Sequence, residues 1–236
     1  SYNSSGTAVT GTYGTLTIGA DGSYTYAATA DAADGIASGE TANDVFVYTL
    51  SDGTETTTAN ITITILGEND SPIAQNDVGV IMEGSTLTVA NSANANVSGS
   101  FDATGEHSGD VIDTSSSSHT DTDPDTSNTL TITHIKKDGG SNSTVSSGSS
   151  YNSSGTAVTG AYGTLTIGAD GSYKYVAQSD ISGFDAGETL TDTFTYTVSD
   201  GTATTTANIV ITLLGDDGSS NNAPVAQNDV GVIAED

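Results

Sequence analysis

Residues 150–175 read SYNSSGTAVTGAYGTLTIGADGSYKY and residues 1–26 read SYNSSGTAVTGTYGTLTIGADGSYTY, identical at 24 of 26 positions. Inside the block lie two period-two runs, Tyr13 to Ile18 and Ser23 to Ala27, separated by Gly19-Ala20-Asp21-Gly22. Alternation on both sides of a Gly- and Asp-rich turn specifies a β-hairpin. In the second copy Leu165 and Ile167 alternate with Thr164 and Thr166, which gives one packed face and one threonine-covered face. Near-identity over a domain-sized period marks a tandem array.

Working outward, Asp44 to Leu50 and Thr56 to Leu66 form a second hairpin about Ser51-Asp52-Gly53-Thr54. Both hairpins return at 162–177 and 191–214, where Phe194 and Tyr196 alternate with Thr193 and Thr195. Front strands are expected near 73–81, 85–91 and 129–136. The stretch 102–128 reads as a long loop, and Ala30 to Thr41 has room for one helical turn. About seven short antiparallel strands per repeat, with no long helix, predict an all-β chain. Its expected form is a tandem immunoglobulin-like or cadherin-like β-sandwich with a period of about 150 residues.

The repeat frame divides the chain into residues 1–70, the back part of a sandwich, 71–222, a whole one, and 223–236, the first strand of the next. Pro72-Ile73-Ala74-Gln75-Asn76-Asp77 returns as Pro224-Val225-Ala226-Gln227-Asn228-Asp229, which fixes that frame. The expected source is a longer polypeptide. A 150-residue unit buries roughly 68–70% of its unfolded surface, enough for a core without staples. The absence of Cys fits that expectation and removes disulfides and thiolate metal sites.

Charge narrows the function. The chain carries 30 Asp and Glu against three Lys and no Arg, a net charge of −27. Nucleic acid and anionic membrane surfaces need a basic footprint and are excluded as direct partners. No apolar run approaches the 18 residues of a membrane-spanning helix. Carboxylates crowded together without Lys or Arg require a divalent cation to be tolerated.

Three acidic groups stand out. Asp121-Thr122-Asp123-Pro124-Asp125-Thr126-Ser127-Asn128 places alternating acids in a turn, which suits a hard cation with six to eight oxygen ligands. It lacks the Gly at position six and the Glu at twelve of an EF-hand. Gly67-Glu68-Asn69-Asp70-Ser71-Pro72, with Asp77 close behind, is the second group, and Gly215-Asp216-Asp217 is its later counterpart. Glu83, with its counterpart Glu235, is the third. Catalysis finds no motif: His107, His119 and His134 lack HExxH-like spacing, and no G-x-S-x-G elbow is present. The chain therefore reads as non-enzymatic. A carbohydrate-binding or polysaccharide-processing module, repeated for avidity and using tyrosines such as Tyr173, Tyr175 and Tyr196 as a platform, is the alternative.

The Asn69-Asp70-x-Pro72 junction, the D-x-D-P-D loop, the G-x-L-x-[IV]-x-x-D-G-S-Y-x-Y hairpin and the D-x-F-x-Y-T-[LV]-S-D-G strand together resemble VCBS-type, cadherin-like repeats. Those occur in large bacterial surface adhesins and biofilm matrix proteins. The resemblance implies a secreted, cell-surface stalk or filament of sandwiches with Ca2+ at the junctions. By similarity Glu68, Asn69 and Asp70 fill the linker position, with Asp121 and Asp123 contributed by the following sandwich. Glu83 corresponds to the first-strand glutamate, and Asp185 and Glu188 to an acidic loop reaching the next linker. The pattern departs at Gly67, which stands where a cadherin linker has its first acid, and in the Gly218-Ser219-Ser220-Asn221 insertion of the second linker. The expected partners are neighbouring repeats or further copies of the chain. In the latter case residues 223–236 of one copy insert beside residues 43–66 of the next, in the register of Pro72 to Gly84.

Overall fold

A computed structural model describes residues 1–90, 106, 107, 109–112, 119–126 and 128–215. The first repeat comprises a helical turn α1 (Tyr2–Ser5), strands β1 (Thr7–Thr10), β2 (Thr15–Ile18) and β3 (Tyr24–Ala27), and a second turn α2 (Asp31–Asp34). Two long strands, β4 (Thr41–Ser51) and β5 (Thr56–Leu66), complete it. The second repeat begins with β6 (Asp77–Met82), β7 (Thr86–Val89), β8 (Glu106–His107), β9 (Thr131–Lys137) and β10 (Ser143–Thr144). It continues with β11 (Thr156–Thr159), β12 (Gly163–Ile167), β13 (Tyr173–Ala177), β14 (Thr189–Ser199) and β15 (Thr204–Leu214). The expected front strands and both hairpins are present.

The second repeat is a two-layer sandwich. One sheet has the order β10-β9-β14-β15-β6-β8 and the other β11-β12-β13-β7. The alternation read in the sequence sets which side chains face inward: Leu165, Ile167, Tyr173, Tyr175, Phe194, Tyr196, Ile209 and Ile211 are all fully buried. The phenyl ring of Phe194 meets Tyr175 edge-on at 6.1 Å. One pairing departs from the antiparallel expectation. Strand β6 lies parallel to β15, with Ile209 opposite Asp77 and Leu213 opposite Ile81. No hairpin joins β6 to β15, so nothing forces antiparallel pairing, and period-two alternation is the same in either direction.

The first repeat has the same two hairpin layers, β1-β2-β3 and β4-β5, and among the described residues no strands beside them correspond to β6, β7 and β9. Equivalent side chains report the consequence. Tyr24 is 49% exposed where Tyr173 is 0%, and Leu50 is 62% exposed where Val198 is 0%.

Turn glycines differ between repeats in what surrounds them. Gly22 and Gly171 hold the same hairpin position with φ of +81° and +86°. A Cβ on Gly22 would meet nothing within 4 Å, whereas one on Gly171 would lie 2.9 Å from Ile112 Cγ1. Gly22→Ala is therefore expected to cost about 1 kcal/mol from backbone strain alone, and Gly171→Ala roughly 2–3 kcal/mol because packing adds to it. Urea denaturation of the two variants measures the difference, and equal costs would show that the Ile112 contact is immaterial.

Candidate metal centre at the repeat junction

The junction is built where residues 67–72 meet the loop 121–128 and the turn at 199–203. The Asn69 amide donates to Asp200 Oδ2 at 2.9 Å, and the Asp70 N–H donates to Asp125 Oδ2 at 3.1 Å. The Ile73–Thr122 bridge closes from both sides, N–H to carbonyl, at 2.8 and 3.0 Å. The acidic loop is folded on itself: Asp125 N–H donates to Asp123 Oδ1 at 2.8 Å, and the Asn128 amide reaches Asp125 Oδ2 at 3.1 Å. An Asp side chain bonding the N–H two residues on is the Asx-turn that Asp-x-Asp spacing favours. From the first repeat, the Gly35 carbonyl accepts from Thr126 Oγ1 at 3.2 Å.

The electrostatics are one-sided. Partial burial, then the charges of Asp125, Asp34, Asp123 and Glu68, push the Asp70 carboxyl above its ordinary value. Burial alone would raise Asp200 too, but hydrogen bonds from Asn69 and the N–H groups of Thr202 and Ala203 outweigh it and hold that carboxyl low. Two carboxylate oxygens here, Asp123 Oδ2 and Asp125 Oδ1, are buried without a hydrogen-bond partner. Lys136, Lys137 and Lys174, which are all the chain's lysines, lie on β9 and β13.

The sequence-predicted residues separate into three places. Glu68, Asn69, Asp70, Asp123 and Asp125 gather at the junction, as the bonds and charge effects above record. Asp121 and Asp77 do not. Asp121 accepts from Gln75 N–H at 2.7 Å and from Tyr196 Oη at 2.9 Å, so its carboxylate caps the sandwich core. Asp77, fully buried, lies by the same tyrosine, and burial with both carboxylates drives the phenol's pKa upward. Asp121 is held inward by its bonds to Gln75 and Tyr196, whereas Asp123 and Asp125 bond within the loop and to Asp70. Glu83, Asp185 and Glu188 sit at the opposite end, around the exit of β15. Glu83 N–H donates to the Leu214 carbonyl at 3.0 Å, and its carboxylate accepts from Ile181 N–H. Asp185 N–H donates to Glu188 Oε2 at 3.0 Å, and Gly215 N–H to the Glu188 carbonyl at 3.1 Å. The expected ligands Asp216 and Asp217 lie outside the described residues.

Two junction acids escaped the sequence reading. Asp200 looks like an ordinary Ser-Asp-Gly turn residue, and Asp34 sits in α2; only the folded chain brings Asp200 to Asn69 and Asp34 near Asp70. Among the described residues, no three carboxylate or imidazole groups already converge closely enough to hold an ion. The donor chemistry nonetheless fits one: an all-oxygen set of carboxylates and an amide, with two buried oxygens unused, suits a hard cation such as Ca2+. The tyrosines considered as a sugar platform, Tyr173, Tyr175 and Tyr196, are core residues with no exposed surface.

The sequence model of the bacterial cadherin-like domain family matches residues 1–67 and 69–215. The chain belongs to this family. Membership in the bacterial cadherin-like family suggests an adhesive or structural module and does not point to an enzyme. No curated protein matches the chain. Among solved structures, the endo-fucoidan hydrolase MfFcnA4 of glycoside hydrolase family 107 matches at 18% identity over 89% of this chain and 23% of that one, with a TM-score of 0.29. Protocadherin gamma B2 extracellular cadherin domains 1–5 match at 12% identity over 92% and 33%, with a TM-score of 0.41. Zebrafish RET cadherin-like domains 1 to 4 match at 12% over 89% and 40%, with a TM-score of 0.27. The chain thus spans well under half the length of each of these, and at such TM-scores none bears on its activity.

Proposed function

We propose that this chain is a non-enzymatic adhesive or structural array, of the VCBS type found in extracellular stalks and biofilm matrix, whose repeats are held in line by Ca2+. The observation that carries the reading is the pair of buried, unpartnered oxygens on Asp123 and Asp125 facing a junction of carboxylates. Asp70, Asp123 and Asp125 would hold the ion, with Asn69 as the neutral oxygen donor and Asp34, Glu68 and Asp200 completing the field. The ion supplies the positive charge that lets these acids approach. Residues 67–72 then lose hinge freedom, and force or position passes from one repeat to the next. At the far end Glu83, Asp185 and Glu188 would serve the following linker.

Modules of this kind bind Ca2+ with Kd on the order of 10⁻⁴–10⁻³ M. At about 100 times Kd one site adds roughly 2.7 kcal/mol to the folded state. Calorimetric titration of the chelator-treated chain is expected to show binding in that range, with a higher melting temperature and a longer particle in X-ray scattering. Asp125→Ala is expected to weaken binding at least about tenfold, since it deletes a ligand in a site of few. Identical melting and scattering with Ca2+ and with chelator would remove the ion from the account, and unchanged affinity in Asp125→Ala would move the site elsewhere.

A further inference from the structure

We propose that the second repeat holds a hard cation inside its own sandwich, between the carboxylates of Asp77 and Asp110 and the hydroxyl of Tyr173. This place is separate from the junction acids Asp70, Asp123 and Asp125. Three elements build it. Asp77 opens β6 opposite Ile209, shares that residue's inward direction and is fully buried. The turn at 109–112 is laid against the hairpin of β12 and β13: Val111 N–H donates to the Gly171 carbonyl at 3.3 Å, and Asp110 is 3% exposed. Tyr173, two residues beyond Gly171, turns into the core in step with Tyr175 and has no exposed surface.

The observation that points to a ligand is the Tyr173 hydroxyl, which is wholly buried and has no hydrogen-bond partner among the described residues. Orphaned polar groups are rare inside folded proteins, and a bound water or ion is the ordinary reason for one. Charge selects the ion. Buried carboxylates are paired with cations or coordinate metals. Lys174 adjoins Tyr173 in sequence, but alternation carries it to the outer face, between Thr88 and Thr166. Lys136 and Lys137 lie on β9 in the other sheet, and among the described residues no lysine forms an ion pair.

Burial, then the charges of Asp77 and Asp110, push the Tyr173 phenol well above its ordinary value. The group therefore meets an ion as a neutral hydroxyl, offering a lone pair while its proton turns away. Hydrogen bonds do not exhaust the two carboxylates, each of which has about four lone-pair sites. Ile112 N–H takes one on Asp110 at 3.0 Å, and Tyr196 Oη takes one on Asp77. Two carboxylates and a hydroxyl form an all-oxygen set that suits Ca2+, whose two positive charges cancel the two negative ones. A water would satisfy the hydroxyl and leave both charges. Once filled, the centre ties β6, the 109–112 turn and the hairpin of β12 and β13 together, and so joins the two sheets. The fold of the repeat itself then depends on Ca2+, apart from any hinge at residues 67–72.

Tyr173→Phe tests this in the full chain, since it removes one oxygen and keeps the ring. In the chelator EGTA the variant is expected to melt at or above the parent, because a buried hydroxyl without a partner is gone. In Ca2+ it is expected to melt below the parent, because a ligand is gone. Asp110→Asn is expected to weaken one class of Ca2+ site at least about tenfold in calorimetric titration, while Asp125→Ala leaves that class intact. Asp125→Ala reports the junction alone, so failure of either site is read separately. Two results would each overturn the proposal. One is a Tyr173→Phe chain that melts lower than the parent by the same amount in EGTA and in Ca2+, which is the outcome a bound water predicts. The other is Ca2+ binding left unchanged by both Tyr173→Phe and Asp110→Asn.

Discussion

Asp192→Ala is expected to cost about 3–5 kcal/mol, as much as removing a large core side chain. Asp192 is buried in the middle of β14, where its carboxylate accepts three hydrogen bonds. These come from Ala161 N–H at 2.7 Å, Tyr162 N–H at 3.0 Å and Tyr175 Oη at 2.6 Å. The two N–H groups belong to the tight turn between β11 and β12, so this carboxylate ties one sheet to the other. Glycines make the approach feasible: a Cβ on Gly160 would lie 2.4 Å from Asp192 Oδ2, and one on Gly163 would lie 2.4 Å from the Tyr175 hydroxyl. Truncation leaves the buried Tyr175 hydroxyl and two part-buried N–H groups without an acceptor, at about 1–3 kcal/mol each before relaxation. Tyr175→Phe removes one donor and leaves the carboxylate held by two, so its cost should be about 1–2 kcal/mol.

The first repeat contains the same clamp. Asp44 accepts from Thr12 N–H at 2.8 Å, Tyr13 N–H at 3.1 Å and Tyr26 Oη at 2.7 Å. Burial pushes the Asp44 carboxyl up, yet these bonds outweigh it and hold the group below its ordinary value. The same bond and charge, added to burial, take the Tyr26 phenol to about 12. Because the layers around Asp44 are partly open, Asp44→Ala should cost less than Asp192→Ala. Urea denaturation followed by tyrosine fluorescence checks the ranking. A loss below about 1 kcal/mol for Asp192→Ala would mean that water or rearrangement satisfies the donors.

That clamp also marks the limit of what was legible in the sequence. The hairpins, the front strands and the sandwich were readable because alternation and Gly-Asp turns encode them locally. Asp192 itself was in view, and its phase was the missed signal: it falls in step with Phe194, Tyr196 and Val198, so a period-two strand must turn it inward with them. A buried acid on an apolar face demands donors, and the nearby glycines were the clue to where they come from. Strands β1 and β11, both Thr-Ala-Val-Thr, were missed because four residues on a sheet edge carry too little alternation to register. At the junction, composition found Asp70, Asp123 and Asp125, since acids crowded without cations stand out in any arrangement. It also swept in Asp121 and passed over Asp200 and Asp34. Direction within a loop, and proximity across 131 positions between Asn69 and Asp200, are properties of the folded chain alone.

The position of Asp121 leads to the second large effect, on stability against pH. Its carboxyl is 3% exposed, and burial raises it to about 7 despite the opposing hydrogen bonds from Gln75 N–H and Tyr196 Oη. In the unfolded chain the same group titrates at the ordinary value, 3.8. The folded state therefore binds this proton more tightly than the unfolded state. The stability it confers is full below pH 3.8 and is lost progressively as pH rises through about 7. A gap of about three units corresponds to at most roughly 4 kcal/mol, reached above pH 8. Other carboxyls run the opposite way: Asp44 and Asp200 sit low and favour the folded state as pH rises above their unfolded values, an effect complete by about pH 5. Between pH 5 and pH 8 the Asp121 slope therefore stands by itself among these groups. In chelator, the melting temperature of the chain should fall across that interval, and Asp121→Asn should flatten the fall, because an amide donates and accepts at this site without ionising. A variant as steep as the parent would show that the charge is relieved by reorientation of the Asp121 side chain, and would place the titrating group among the junction acids around Asp70.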